Sequence, residues 1–128
     1  MTLLHDILLS LAMHIPARLA NRLIRLRFPD VTQRSAGSLL FDLSGAGHLF
    51  LDVRGSSFKQ VCAHVATFRG HRAAGLVVVV CEIGYRSSQV AAQLASAGFE
   101  NVVNLEGGMR ALRRLRDGVN HYVAHRTG

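Results

Sequence analysis

The feature that most constrains the fold is the stretch GLVVVVCEIGYRSSQVAAQLASAGF, which covers residues 75–99. Its four consecutive valines form a short continuous apolar run, typical of a parallel strand that is buried on both faces. From Ser87 onward the apolar residues recur at helical spacing, and Gly98 stands where a left-handed residue ends a helix. A buried strand that leads directly into a helix predicts an α/β fold with a parallel sheet.

The residues around this unit continue the alternation of strands and helices. The segments HLFLDVR and NVVNL predict strands at residues 49–53 and 101–105. Helices are predicted at residues 35–45, at residues 56–68 and at residues 109–118. In the second of these, Ser56 or Ser57 is expected to be the N-cap. One face of this helix is apolar and carries Phe58, Val61, Cys62 and Val65. A chain of 128 residues is long enough for one domain around a single core.

Residues 1–28 are expected to form a helical extension, and residues 29–128 the α/β domain. One helical face of the first segment carries apolar residues, which are Leu4, Ile7, Leu8, Leu11 and Ile15. Pro16 interrupts the helix, and the second segment has leucines on one side, arginines elsewhere and Pro29 at its end; the leucines are Leu19, Leu23 and Leu26. Amphipathic helices usually bury their apolar face, so we expect these helices to pack on the domain or to form a homodimer. Peripheral contact with an acidic membrane surface is the alternative.

The N-terminal segment LLHDILLSLAMHI is too short and too polar to span a membrane. It also lacks the basic start and the cleavage site of a secretion signal, so we expect it to be retained. Cysteine is scarce, with only Cys62 and Cys81, and neither a disulfide framework nor a zinc-binding motif is predicted. A cytoplasmic location fits this cysteine usage best, and no metal or other cofactor is expected.

The formal net charge of +7 favours anionic partners, which include small sulfur or phosphate anions, nucleic acid and acidic lipid. The basic segment RALRRLR has no aromatic residues between its arginines, whereas stacking on nucleic-acid bases uses them. We therefore do not expect a nucleic-acid partner. A solvated basic surface that only maintains solubility is the plainest alternative.

Cys81 ends the buried strand, and ligands of open parallel sheets bind beyond the carboxyl ends of the strands. Glu82, Ile83, Gly84 and Tyr85 form the next loop, and Arg86, Ser87 and Ser88 are expected to form the first turn of the helix. A helix N-terminus offers unpaired N–H groups and partial positive charge, and both stabilise a thiolate or another anion. Arg86 adds a cation that can hold an anionic substrate. The alternative is a buried structural cysteine, but the loop glycine and the arginine favour an activated one.

These residues resemble the rhodanese superfamily, which includes the thiosulfate sulfurtransferases. CEIGYR is similar to the six-residue active loop of that family, FLDVR to its Asp-x-Arg strand and NLEGGM to its Gly-Gly turn. The resemblance implies a single rhodanese-like domain in which a central parallel sheet is flanked by helices. It implies that Cys81 and Arg86 are catalytic, that the substrate-binding loop comprises Glu82, Ile83, Gly84, Tyr85 and Ser87, and that the supporting residues are Asp52, Arg54, Gly107 and Gly108.

Four residues separate Cys81 from Arg86, one fewer than in the related dual-specificity phosphatases, and the tighter loop favours sulfur over phosphate. The resemblance implies that Cys81 takes a sulfane sulfur from thiosulfate or a persulfide and passes it to a thiol or to cyanide. The alternatives are a persulfide carrier and a non-catalytic binding or regulatory module. Glu82 stands where the family often has arginine, and its negative charge is expected to disfavour thiosulfate.

Overall fold

The computed structural model of the protein describes residue 7 and residues 14–43 and 47–127. In chain order the described elements are α1 (Ala17–Arg27), β1 (Thr32–Arg34), α2 (Ala36–Leu43), β2 (Leu49–Asp52), α3 (Phe58–His71), β3 (Val77–Val80), α4 (Tyr85–Ser96), β4 (Val102–Leu105) and α5 (Gly108–Thr127). The strands form one four-stranded sheet in the order β1–β4–β3–β2, and each neighbouring pair is parallel. The predicted α/β fold with a central parallel sheet is therefore confirmed.

Strand β3 forms the centre of the core. Its four valines are 0% exposed, as the continuous apolar run predicts. Successive side chains of a strand point to opposite faces, so the valines divide between two layers. Val77 and Val79 pack in a cluster with buried residues of α3 and α4. Val78 and Val80 pack with α2 and with apolar residues of α5, so helices cover both faces of the sheet.

The ends of two helices follow the sequence prediction. Ser57 caps α3, because its hydroxyl accepts a hydrogen bond from the Gln60 backbone N–H at 3.2 Å while the Gln60 side chain accepts one from the Ser57 N–H at 2.9 Å. At the end of α4, Gly98 has a φ of 93° and the chain turns back through it. Phe58, expected to share the face of Val61 and Val65, is instead 38% exposed at the first residue of the helix.

The short strand β1 (Thr32–Arg34) is not predicted by the sequence. Its residues TQR have neither the apolar alternation of a half-buried strand nor the apolar run of a buried one. The strand forms one edge of the sheet and pairs with β4, where Gln33 lies opposite Asn104. This pairing brings a polar side chain from the edge of the sheet to a buried polar residue of the neighbouring strand.

Helix α1 packs on the domain, but not through its leucine face. Ala20 and Ile24 are buried, whereas Leu19, Leu23 and Leu26 are 46%, 49% and 70% exposed. The helix therefore packs on the domain as one of the two alternatives expects, but through Ala20 and Ile24 instead of its leucines, and the homodimer alternative stays a prediction.

Two contacts at the C-terminal end of the helix join it to the domain. The Arg25 guanidinium donates to both carboxylate oxygens of Glu106, at 2.6 and 2.7 Å. Phe28, just after the helix, packs its ring edge-to-face on Tyr85 with centroids 5.4 Å apart. Both contacts join α1 to residues next to the Cys81 loop or the Gly-Gly turn.

The leucine face of α1 is exposed in the part of the chain that the structure describes, and the homodimer and membrane-surface interpretations stay predictions. The first predicted helix of the extension lies outside the described residues except at positions 7, 14 and 15. Among the helices that the structure does describe, none is both long and apolar enough to cross a bilayer.

Replacing Ile24 by alanine is expected to lower the free energy of unfolding by about 2–4 kcal/mol, because it leaves a cavity beneath α1. Leu23→Ala, the matched change on the exposed face, is expected to lower it by about 0.5 kcal/mol or less. Urea unfolding of both variants measures the difference. Equal losses would contradict the described rotation of α1.

Candidate active site

Cys81 lies immediately after β3, at the carboxyl edge of the sheet, and is 3% exposed. Its Sγ accepts hydrogen bonds from the backbone N–H groups of Gly84, at 3.1 Å, and Ser87, at 3.3 Å. The Ser87 hydroxyl oxygen lies 3.2 Å from the same sulfur. The start of α4 therefore directs amides that a helix leaves unpaired at the sulfur, and such donors stabilise a thiolate or a persulfide anion.

Gly84 allows the loop to curl around the sulfur. It is the N-cap of α4 and has a left-handed φ of 99°. A Cβ atom at this position would lie 3.3 Å from Asn104 Nδ2 and 3.4 Å from the Gly107 N atom. The left-handed backbone conformation therefore favours glycine here, and the close neighbours leave little room for a side chain.

The start of α5 holds the outer side of the loop. The Met109 N–H donates to the Cys81 carbonyl at 2.8 Å, and the Arg110 N–H donates to the Glu82 carbonyl at 3.1 Å. Gly108 has a φ of 60°, and a Cβ there would lie only 2.3 Å from the Cys81 carbonyl oxygen. The loop is thus held on two sides. The carbonyl groups of Cys81 and Glu82 accept hydrogen bonds from α5, and the N–H groups of Gly84 and Ser87 donate to Sγ.

Two predicted loop residues anchor the loop rather than line an open cleft. Ile83 is 0% exposed, and Tyr85 packs against Phe28 as described above. The first glycine of the Gly-Gly turn, Gly107, has a φ of 80° and lies against Ala111 of α5. These contacts fix the loop between the sheet, α1 and α5.

Four charged side chains form an ion-pair ladder beside the loop, which comprises Asp52, Arg54, Glu82 and Arg113. Arg54 contacts the Asp52 carboxylate at 2.7 Å and the Glu82 carboxylate at 3.0 Å, so both predicted supporting residues are linked to the loop. Arg113 donates to both oxygens of Glu82 and lowers the pKa of that carboxyl, and Arg54 lowers it further. Arg113 was not predicted. The charge of Glu82 is therefore paired with two guanidinium groups, a pairing that is not predicted from the sequence.

The acid side of the stability curve tests this pairing. A carboxyl with a lowered pKa in the folded state stabilises the protein above its unfolded pKa, about 4.3 for glutamate, and loses that contribution as the pH falls through the folded pKa. We therefore expect wild type to exceed Glu82→Gln in unfolding free energy above about pH 5, and the difference to shrink below about pH 4.

Urea unfolding of wild type and Glu82→Gln across this pH range is the measurement. Added salt should reduce the difference, because Glu82 is 35% exposed. Asp117→Asn is the matched control. The Asp117 side chain is 68% exposed, so its ion pair with Arg116 is expected to contribute little to the free energy of unfolding. A difference that does not change with pH would contradict the pairing of Glu82.

Arg86 lies at the rim of the loop and is exposed. Its Nη2 donates to the Ser56 carbonyl at 2.8 Å, which ties the first turn of α4 to the segment after β2. This contact holds the loop in place. The further prediction, that Arg86 orients an anionic donor, stays a prediction.

A buried polar chain behind the loop is not predicted from the sequence. It comprises Ser87, Asn104, Gln33 and Ser88, of which Ser87, Ser88 and Asn104 are 0% exposed. The sequence feature that could have indicated it is the asparagine in the otherwise apolar strand VVNL, because a buried side-chain amide almost always has hydrogen-bond partners. The chain starts at Cys81 Sγ and ends at the Gly84 carbonyl.

Comparison with known proteins agrees with this geometry. The model of the rhodanese-like domain family matches residues 42–115, a segment that runs from the end of α2 into α5 and contains the Cys81 loop, the ion-pair ladder and both glycines of the turn. Among curated proteins, no sequence gives a significant match to the chain. The chain therefore belongs to the rhodanese-like domain family, which comprises sulfurtransferases and related modules, many of them non-catalytic.

Proposed function

We propose that the protein is a sulfurtransferase that carries a sulfane sulfur on Cys81. The observation that carries this proposal is the set of donors at Sγ, where two backbone N–H groups lie at 3.1 and 3.3 Å. Negatively charged sulfur is stabilised by such donors, whereas a structural cysteine needs none. The other thiol, Cys62, is half-buried on α3 and packs against the apolar cluster there.

The reaction has two displacement steps. In the first, the Cys81 thiolate attacks the outer sulfur of the donor and forms a new sulfur–sulfur bond. The donor's own sulfur–sulfur bond breaks, and its electron pair leaves with sulfite or with a thiolate. In the second, a thiolate or cyanide attacks the outer sulfur of the Cys81 persulfide, and the Cys81 thiolate leaves. The cycle uses no external electrons and requires no cofactor.

A persulfide is the better donor in this proposal, and thiosulfate the weaker one. The ladder contains two carboxylates and two guanidinium groups, so its charges sum to zero and it provides no excess attraction for a dianion. Arg86 adds one positive charge, but its guanidinium already binds the Ser56 carbonyl. A singly charged persulfide depends less on such attraction.

Both cysteines are free thiols, which is consistent with a reducing cytoplasm.

Thiocyanate formation from cyanide, with each donor in turn, tests the proposal. We expect the rate with a low-molecular-weight persulfide to exceed the rate with thiosulfate by about tenfold, or ~1.4 kcal/mol, which is close to one charge interaction at about 4 Å in water. Glu82→Arg should raise the thiosulfate rate at low salt, and Glu82→Gln, which removes the charge without adding one, should raise it less. A faster reaction with thiosulfate would contradict the donor assignment. Sulfur uptake by Cys81 without thiocyanate release would favour the persulfide carrier.

A further inference from the structure

We propose that Asn104 and Gln33 fix the direction of the Ser87 hydroxyl proton and thereby restrain Cys81 from becoming a thiolate. The inference rests on the proposed function only in taking Cys81 as the reacting group. It concerns the buried polar chain, which links Cys81 Sγ through four side chains to the carbonyl of Gly84.

The direction of every hydrogen bond in the chain follows from its far end. The Gly84 carbonyl can only accept, and Ser88 Oγ lies 2.6 Å from it, so the single proton of the Ser88 hydroxyl points there. Ser88 Oγ must then accept from its other neighbour. That neighbour is the Gln33 side chain, whose Nε2 donates to Ser88 Oγ at 2.9 Å. The orientation of the Gln33 amide is thus determined.

The orientation passes to the next two residues in the same way. With its nitrogen on Ser88, Gln33 presents Oε1 to Asn104, whose Nδ2 donates to it at 2.6 Å. Asn104 Oδ1 therefore faces Ser87 Oγ, and the Ser87 hydroxyl donates to it. A hydroxyl has one proton, so Ser87 presents only lone pairs to Cys81 Sγ, 3.2 Å away.

This arrangement affects the two forms of Cys81 in opposite ways. Ser87 Oγ can accept a hydrogen bond from the protonated thiol, but its lone pairs do not stabilise a thiolate. To donate a hydrogen bond to a thiolate, the Ser87 hydroxyl would have to turn its proton away from Asn104. The buried Oδ1 of Asn104 would then lose its hydrogen-bond donor. The free-energy cost of an unpaired buried acceptor is about as large as the stabilisation that a hydrogen bond to a charged group provides. The polar chain therefore opposes this rotation of the hydroxyl. Asn104 and Gln33 are positioning residues, because they act through Ser87.

The test is the pH profile of Cys81 alkylation by iodoacetamide, in a Cys62→Ala background that leaves a single thiol. Asn104→Leu removes the acceptor and frees the Ser87 proton for the sulfur. We expect the midpoint of the profile to fall by about one pH unit. At pH values below the midpoint, the thiolate fraction would then be up to about tenfold larger than in the Cys62→Ala parent.

Gln33→Leu is the second variant, at a partly exposed edge-strand position that tolerates change better than Asn104. It frees the Asn104 amide to rotate and to donate to Ser87, so the midpoint should fall in the same direction. None of these variants replaces a charged residue, so the charged groups nearest the Cys81 loop are unchanged; they are Asp52, Arg54, Glu82, Arg86, Arg110 and Arg113. Circular dichroism at each pH verifies that the variants are folded.

Ser87→Ala completes a double-mutant cycle. Without the hydroxyl, Asn104→Leu should no longer shift the midpoint. Midpoints that are unchanged or raised in both leucine variants would overturn the inference, as would a shift by Asn104→Leu that persists in the Ser87→Ala background. Alkylation needs no sulfur donor, so a midpoint shift in a protein that forms no thiocyanate would uphold this inference while refuting the proposed function.

Discussion

Gly108→Ala is expected to reduce sulfur loading of Cys81 by about a hundredfold, the effect of a displacement of about 1 Å at a reacting centre. The added Cβ would lie 2.3 Å from the Cys81 carbonyl oxygen and 2.7 Å from the Glu82 carbonyl carbon, so the backbone of the loop must shift. The shift also breaks the hydrogen bonds from the first turn of α5 to these carbonyls. The amides that face Sγ move with them.

Gly98→Ala is the matched control for this prediction. Gly98 also has a positive φ, of 93°, but a Cβ there would have nothing within 4 Å. We expect both variants to lose about 1–3 kcal/mol from the left-handed backbone, and only Gly108→Ala to lose loading as well. The loading rate with a persulfide donor, measured by intact mass, separates the two effects. Equal loading by both variants would show that α5 does not shape the loop.

Cys81→Ser is expected to lower thiocyanate formation by about a thousandfold or more, as the loss of a nucleophile in covalent catalysis does. Serine keeps an acceptor for the Gly84 and Ser87 amides, so the loop itself should be preserved. A hydroxyl does not ionise at neutral pH and forms no persulfide. The rate with cyanide and a persulfide donor is the measurement.

Cys62→Ala is the matched change at the second thiol and should retain nearly the full rate. Cys62 is half-buried, and alanine removes only its sulfur from the edge of the apolar cluster. Urea unfolding of both variants checks that lost activity is not lost structure. A Cys81→Ser protein that still turns over, or a Cys62→Ala protein that does not, would contradict the assignment of the nucleophile.

The parts of the fold that the sequence predicts are those that depend on neighbouring residues. The valines of β3 predict a buried strand, because a strand that is covered on both faces has apolar residues at every position. Gly98 ends α4 because its own backbone adopts the left-handed conformation. The loop from Cys81 to Arg86 is predictable for the same reason, since strand end, glycine and helix start are adjacent in the chain. The amides at Sγ follow from this local order.

The missed features depend on contacts between distant segments. Strand β1 exists because its backbone pairs with β4, which its polar sequence does not reveal. The placement of α1 depends in part on the ion pair of Arg25 with Glu106, 81 residues away, and not on the amphipathic pattern alone. The pairing of Glu82 with Arg113 likewise requires knowing where α5 begins relative to the loop. Periodicity identifies an apolar face but does not state which face the rest of the domain covers.

The central claim is that Cys81 carries a transferable sulfur atom, and the intact mass of the protein tests it most directly. The protein is incubated with a persulfide donor, freed of excess donor, weighed, treated with cyanide and weighed again. The account predicts a gain of one sulfur atom in wild type and in Cys62→Ala, its loss on addition of cyanide, and no gain in Cys81→Ser. No gain in wild type with either a persulfide or thiosulfate, or an equal gain in Cys81→Ser, would contradict it.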